Sequence, residues 1–257
     1  MNCRHWLVAG MGALCIAVSP AWADEMKDDA IARMVAAHEP DIPLAVGRLA
    51  VKQAGLVAIR ALLRQRGREA RLDRGWNGGA AEWQQAEAHF SDVIDELITQ
   101  RIEDPAWVQG ILTEQFSRLL NGEEADEIAA HFVGGIGREQ RIVVEVKVLG
   151  ELLLANYTFT NRIDDTVRGS EREYARMQKV WADREPFRVR NFDGDAGAQR
   201  FGTRNPGIKY VKMLALQGVE GMINHIDSVR TEAAARVTGA AHEADPYIEA
   251  YRLRAAK

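Results

Sequence analysis

Glu127 and His131 stand four residues apart, a spacing that puts a carboxylate and an imidazole on one helix face, with Glu124 one turn earlier. That is the beginning of a metal site and no more. Zinc needs three or four ligands, and His38, His89, His131, His225 and His242 form no H-E-x-x-H pair. His131 therefore reads as a helix histidine beside solvated acids, and no metal or other cofactor is expected. Asn191, Asp193 and Asp195 alternate as calcium ligands do, but Ala196 and Gly202 occupy the positions where an EF-hand loop needs Gly and Glu. Gly134, Gly135 and Gly137 are followed by Arg138-Glu139-Gln140, which lacks the third glycine of a dinucleotide fingerprint. They read as a helix stop that uses positive φ. No G-x-S-x-G elbow occurs, and Asp164-Asp165 reads as an ordinary capping or surface pair. No catalytic residue is assigned.

One charged group remains. Between Arg184 and Gly207, the residues Arg184, Arg188, Arg190, Arg200 and Arg204 outnumber Glu185, Asp193 and Asp195. A guanidinium grips carboxylate or phosphate in two-pronged fashion, and Phe187, Phe192 and Phe201 interleave as apolar anchors. Residues 184 to 207 carry Gly194, Gly197, Gly202 and Asn205-Pro206-Gly207 with no periodicity, so they read as a long loop, a class that is usually functional or disordered. The expectation is that Arg188, Arg190, Arg200 and Arg204 meet an anionic envelope component or another envelope protein. The competing reading pairs them with the acidic remainder of the chain.

The elements that hold these residues follow from the punctuation. Arg4 and His5, the apolar run Trp6–Val18 and the small-residue site Ala21-Trp22-Ala23 compose a secretory signal peptide, cleaved before Asp24, which predicts a periplasmic location. Leu14 before Cys15 argues against a lipoprotein. Cys3 and Cys15 leave with the leader, so residues 24–257 hold no disulfide and must be stabilised by burial. The leader contains one arginine and no acid, leaving 32 basic against 37 acidic side chains, a balance that does not suggest nucleic acid. By this reading no apolar run after Ala23 is long enough to span a bilayer, and a soluble chain is expected.

Helical spacing recurs between Gly and Pro stops. A helix over 27–38 ends at Pro40. A second over 41–72 carries Ile42, Leu49, Leu56 and Leu63 every seven residues, and a third over 83–103 carries Trp83, Ala86, Phe90, Ile94 and Leu97. Asp104-Pro105 starts a fourth. Asn121 with Glu124 is a capping arrangement for a fifth. Residues 138–162 include Ile142-Val143-Val144 but exceed strand length, so they predict a buried helix. Helices over 170–183 and 208–237 and a turn or two around 247–253 complete the chain, with no internal repeat apparent. The expected class is all-α: one antiparallel, bundle-like domain over 24–257, with its core at about 42–183 and the C-terminal loop and helix at 184–257.

Charge is segregated along the second and third helices. Arg48, Lys52, Arg60, Arg64, Arg66, Arg68, Arg71 and Arg74 face only Glu69 and Asp73, whereas residues 75–104 hold seven acids against Arg101. An antiparallel hairpin that neutralises itself is the economical reading, with adsorption of a basic helix to anionic lipid as the alternative.

Glu123-Glu124 and His131-Phe132-Val133-Gly134-Gly135-Ile136-Gly137 carry a resemblance. Residues 83 to 162 resemble a family of exported bacterial helical proteins known as a domain of unknown function, whose pattern is an acidic helix start, an aromatic pair, a small residue, proline, any residue and glycine. His131 stands at the first aromatic position and Gly135 at the proline. The resemblance implies export and helices, and no reaction. The function expected is thus an exported non-enzymatic interaction or binding module, with an envelope hydrolase of unfamiliar site as the alternative.

Overall fold

The computed structural model describes residues 20–157 and 168–256, with side chains from residue 24. Asp164 and Asp165, Cys3 and Cys15, and nearly all of the proposed leader lie outside the described residues. Among those described, every regular element is helical.

Helix α1 (Pro20–Ala37) leads into α2 (Asp41–Glu69), the central element. Ile42, Val46, Leu49, Leu56, Ile59 and Leu63 of α2 are buried at the expected spacing. Around α2 pack α3 (Ala81–Arg101), α8 (Glu171–Arg188) and α11 (Val219–Gly239). α11 contributes Met222, Ile226, Val229, Ala233 and Val237 to the same core. By length and composition α2 could cross a membrane, contrary to the expectation that no run after Ala23 reaches that size, and 67% of its most apolar window is buried in the fold. It is the core helix here. α4 (Ala106–Leu119) and α5 (Gly122–Val133) follow, and α5 opens on the predicted capping box: Asn121 Oδ1 accepts from Glu124 N at 2.9 Å while Glu124 Oε2 accepts from Asn121 N at 3.1 Å.

The stretch from Gly135 is helical, as its length predicted, but its β-branched centre is wound differently. α6 (Gly135–Val144) runs through a π-helix (Glu145–Gly150) into α7 (Glu151–Asn156). The glycines act otherwise than expected. Gly134 has φ −72° and merely separates α5 from α6. Gly137 is required by close approach, since a Cβ there would lie 1.8 Å from the carbonyl oxygen of His131.

The expected long loop at 184–207 is mostly helix. α8 continues through Pro186 to Arg188, residues 189–195 connect, and two short helices follow: α9 (Ala196–Thr203) and α10 (Asn205–Met213). Asp195 caps α9 by accepting from Ala198 N, and Pro206 sits in the first turn of α10, where its missing N–H costs nothing. A second π-helix (Leu214–Gly218) leads into α11, and α12 (Asp245–Ala255) ends the described chain.

These segments form an internal repeat that the sequence conceals. α5, Gly134, α6 and the first π-helix match α9, Arg204, α10 and the second. Gly134 and Arg204 share the same extended backbone (φ −72°, ψ 148° and φ −82°, ψ 154°). A Cβ on Gly207 would lie 2.1 Å from the Phe201 carbonyl oxygen, as one on Gly137 would from that of His131. The units pack by exchange: α5 lies on α10, α6 lies on α9, and the two π-helices touch. The corresponding rings of His131 and Phe201 stack at 3.9 Å with 9° between planes.

Candidate binding site

Successive ion pairs tie α2 to α3: Arg48 to Glu103 at 3.3 Å, Lys52 to Asp95 at 2.5 Å and Arg60 to Glu87 at 2.7 Å. Numbers rise on one helix as they fall on the other, so the pair is antiparallel. The neutralisation stops there. α3 begins at Ala81, and the last part of α2 projects past it. Arg64, Arg68, Arg71 and Arg74 are exposed and have no ion-pair partner among the described residues. The two acids in this region are engaged, Glu69 by Gln65 and Arg66, and Asp73 by the Tyr251 hydroxyl and Gly75 N.

Around the Arg60–Glu87 pair, a cleft of about 640 Å³ opens. Leu56, Arg60 and Arg64 of α2 form one wall, Trp83, Gln84, Glu87 and Ser91 of α3 the other, and Trp76-Asn77-Gly78 and Arg168-Gly169 close the ends. Its size falls within the range of small-ligand sites. The indoles are fixed. Trp76 donates through Nε1 to the Leu63 carbonyl at 2.9 Å and lies edge-on to Trp83 at 5.4 Å. Gly67 makes room for it, because a Cβ there would lie 2.3 Å from the indole.

Glu87 is the sole acid among the lining residues, and both its oxygens are used: one by Arg60, the other by Trp83 Nε1 at 3.0 Å. Arg60 also donates to the Arg168 carbonyl at 2.6 Å. Arg64 and Arg168 line the cleft with no acidic partner among the described residues, so it carries a positive excess. Ser91 is the one hydroxyl lining it among the described residues, and Lys52 Nζ lies 2.7 Å from the Ser91 oxygen. A serine–lysine pair can be nucleophilic when the amine offers a lone pair. Here the amine already donates to Asp95 at 2.5 Å, so it acts as a donor to Ser91. The arrangement suits holding an anion better than cleaving a bond.

The arginines expected to bind lie elsewhere and apart. Arg188 pairs with Glu185 at 2.9 Å and approaches Glu151, Arg190 pairs with Glu139 at 2.6 Å and lies over Phe192, and Arg204 pairs with Glu127 at 2.7 Å. Arg200 is exposed without a partner among the described residues. Of the three residues with metal-like spacing, Glu124 is taken by Lys209 and the cap, Glu127 by Arg204, and His131 by Gln140 at 2.9 Å. The signal for Arg64 was present in the basic excess over 48–74, whereas nothing in the sequence pointed to Arg168. What composition could not show is what each arginine meets on α3: Arg60 reaches Glu87, whereas Arg64 shares the cleft with Trp83 and Gln84.

A second polar group lies in the core. His38 Nδ1 donates to the Met34 carbonyl at 2.7 Å, so its Nε2 accepts from the Tyr210 hydroxyl at 3.0 Å. Glu145, which opens the first π-helix, lies 3.8 Å from that Nε2 and pairs with Arg141 at 2.7 Å. Glu39 links Arg141 to Arg184 at the surface. Burial pushes His38 down to about 4 and Glu145 up to about 7, the latter against the pull of Arg141. Such shifts mark many active sites. Here the His38, Arg141 and Glu145 side chains are only 3–5% exposed, so no substrate reaches them in this conformation.

No family model, no curated protein and no solved structure matches this chain.

Proposed function

We propose that this chain is an exported, non-enzymatic binding module of the cell envelope that takes an anionic group in the cleft between α2 and α3. One observation carries the reading: Arg64 and Arg168 line a cleft whose only acid among the described residues is already held by Arg60 and Trp83. Export rests on the leader-like first 23 residues and on the resemblance of residues 83–162 to exported helical proteins. A guanidinium pair beside apolar walls recognises carboxylate or phosphate on a compact body.

Thermal unfolding tests it, with phosphate, citrate and monomeric galacturonate each compared with chloride at equal ionic strength. A ligand at 100 times its Kd adds about 2.7 kcal/mol to the native state, a rise of several degrees for a chain of this size. At least one anion is expected to raise Tm, and Arg64→Gln with Arg168→Gln to abolish the rise while leaving Tm in chloride unchanged. No response to any of the three would reject the reading. A response that survives the double substitution would place the site elsewhere.

A further inference from the structure

The cleft is one end of a longer feature. Arg60, Arg64 and Arg68 follow one face of α2 at intervals of four residues, so successive guanidinium groups are rooted about 6 Å apart along the helix, and Arg71 follows in the turn that ends it. Arg60 and Arg64 stand in the cleft, Arg68 is exposed one turn further along α2, and Arg71 and Arg74 are exposed in the segment that follows the helix. We propose that this row binds a linear polyanion, a polymer bearing a carboxylate or phosphate on successive units, with one unit seated in the cleft and the next ones laid along α2. The inference rests on the cleft reading and extends it from a single anion to a chain.

Three observations support a chain as the occupant. First, the charge is unspent: Arg64, Arg68, Arg71, Arg74 and Arg168 have no ion pairs among the described residues, in a chain that is acidic overall. Second, the row keeps an arginine where the backbone asks for glycine. α2 ends in a Schellman turn, with Leu72 N donating to the Gly67 carbonyl at 2.9 Å and Arg71 N to that of Arg68 at 3.0 Å. The residue at the left-handed position of that turn is Arg71, with φ 54°, the one non-glycine at positive φ among the described residues. A side chain held in a disfavoured backbone at a surface turn points to a use for it. Third, no large apolar side chain is exposed between Arg60 and Arg74. A helix that lies on a bilayer needs such residues to insert, and a flat headgroup surface cannot follow the row into a walled cleft.

Binding of the purified chain to polygalacturonate and to polyphosphate, measured by fluorescence anisotropy of labelled polymer, tests the proposal against monomeric galacturonate and inorganic phosphate. Polymer should bind roughly 10- to 100-fold tighter per anionic unit than its monomer, and more weakly as salt rises. Changing Arg68, Arg71 and Arg74 together to Gln, all outside the cleft, should remove that advantage and leave the monomer's affinity unchanged. The two polymers distinguish carboxylate from phosphate as the recognised group. Polymer that binds no tighter than monomer, or a triple variant that loses nothing, overturns the row. Stronger binding to phosphatidylglycerol vesicles than to either polymer overturns it in favour of a membrane. A polymer response that needs the row, with no monomer response, keeps the row and removes the cleft reading.

Discussion

The carboxylate of Glu145 lies 3.8 Å from Nε2 of His38, both sealed in the core. In the folded chain between about pH 4 and 7 the glutamate carries a proton and the histidine does not, because burial disfavours either charge. In the unfolded chain, between their ordinary values near 4.5 and 6.5, the histidine holds the proton instead. Both states then bind one proton at this pair, and stability should be flat with pH from about 5 to 6.5. Removing either partner exposes the other. In His38→Gln, only the raised glutamate remains, so stability should fall as pH rises through that window. In Glu145→Gln, the depressed histidine remains, so stability should rise with pH. Each slope approaches about 1.4 kcal/mol per pH unit, measurable by urea unfolding. Equal and parallel profiles for both variants would refute the proton exchange.

Arg71→Gly should stabilise the chain by about 1 kcal/mol, since glycine enters the left-handed region without the clash a Cβ makes. Tm should rise by roughly 2–4 °C. The same variant should bind polyanion less well, separating the needs of the fold from those of the row.

Gly137→Ala and Gly207→Ala should each cost on the order of 2–4 kcal/mol, because the new methyl would meet a backbone carbonyl that cannot step aside. Gly135→Ala is the control: nothing lies within 4 Å of a Cβ there, and its effect should stay within about 0.5 kcal/mol. Chemical denaturation of the three variants decides this.

Changing Arg188, Arg190, Arg200 and Arg204 together to Gln should leave anion binding in place. Three of the four already face acids on the surface, where each pair contributes about 0–1 kcal/mol. Loss of binding in this variant would return the site to the C-terminal part of the chain.

Intact mass of the exported protein should correspond to a chain beginning at Asp24. The remaining part of α1 stays anchored, since Ala30, Ile31 and Met34 are fully buried. A mass that retains Met1 would refute cleavage.

The helical class was legible because its signals are local. The periodic apolar residues of α2 and α3 name their own buried faces, and Asn121 with Glu124 marks a helix start through bonds made within one turn. Residues 184–207 misled because Gly and Pro there punctuate short helices: Asp195 as cap and Pro206 at a helix start were cues, outweighed by three glycines and the absence of a long apolar period. The repeat was invisible for another reason. Its units share a backbone path and a carbonyl-contacting glycine, while the ring at 131 is imidazole and that at 201 is phenyl. The site was half legible, since charge excess is a property of composition but the pairing of each arginine depends on where α3 begins.

The exchange packing of the two helix–break–helix units frees each from the symmetry that a dimer would impose. Two identical subunits meeting in this way would carry every substitution twice, once on each side of the axis. A chain that contains both units is free of that constraint. Arg141 and Glu145, ionisable and sealed in the first unit, correspond to Val211 and Ala215 in the second, of which Val211 is apolar and open to solvent. Having both units in one chain allows a single buried acid–base group to exist on one side only, where a symmetric dimer would have to desolvate two.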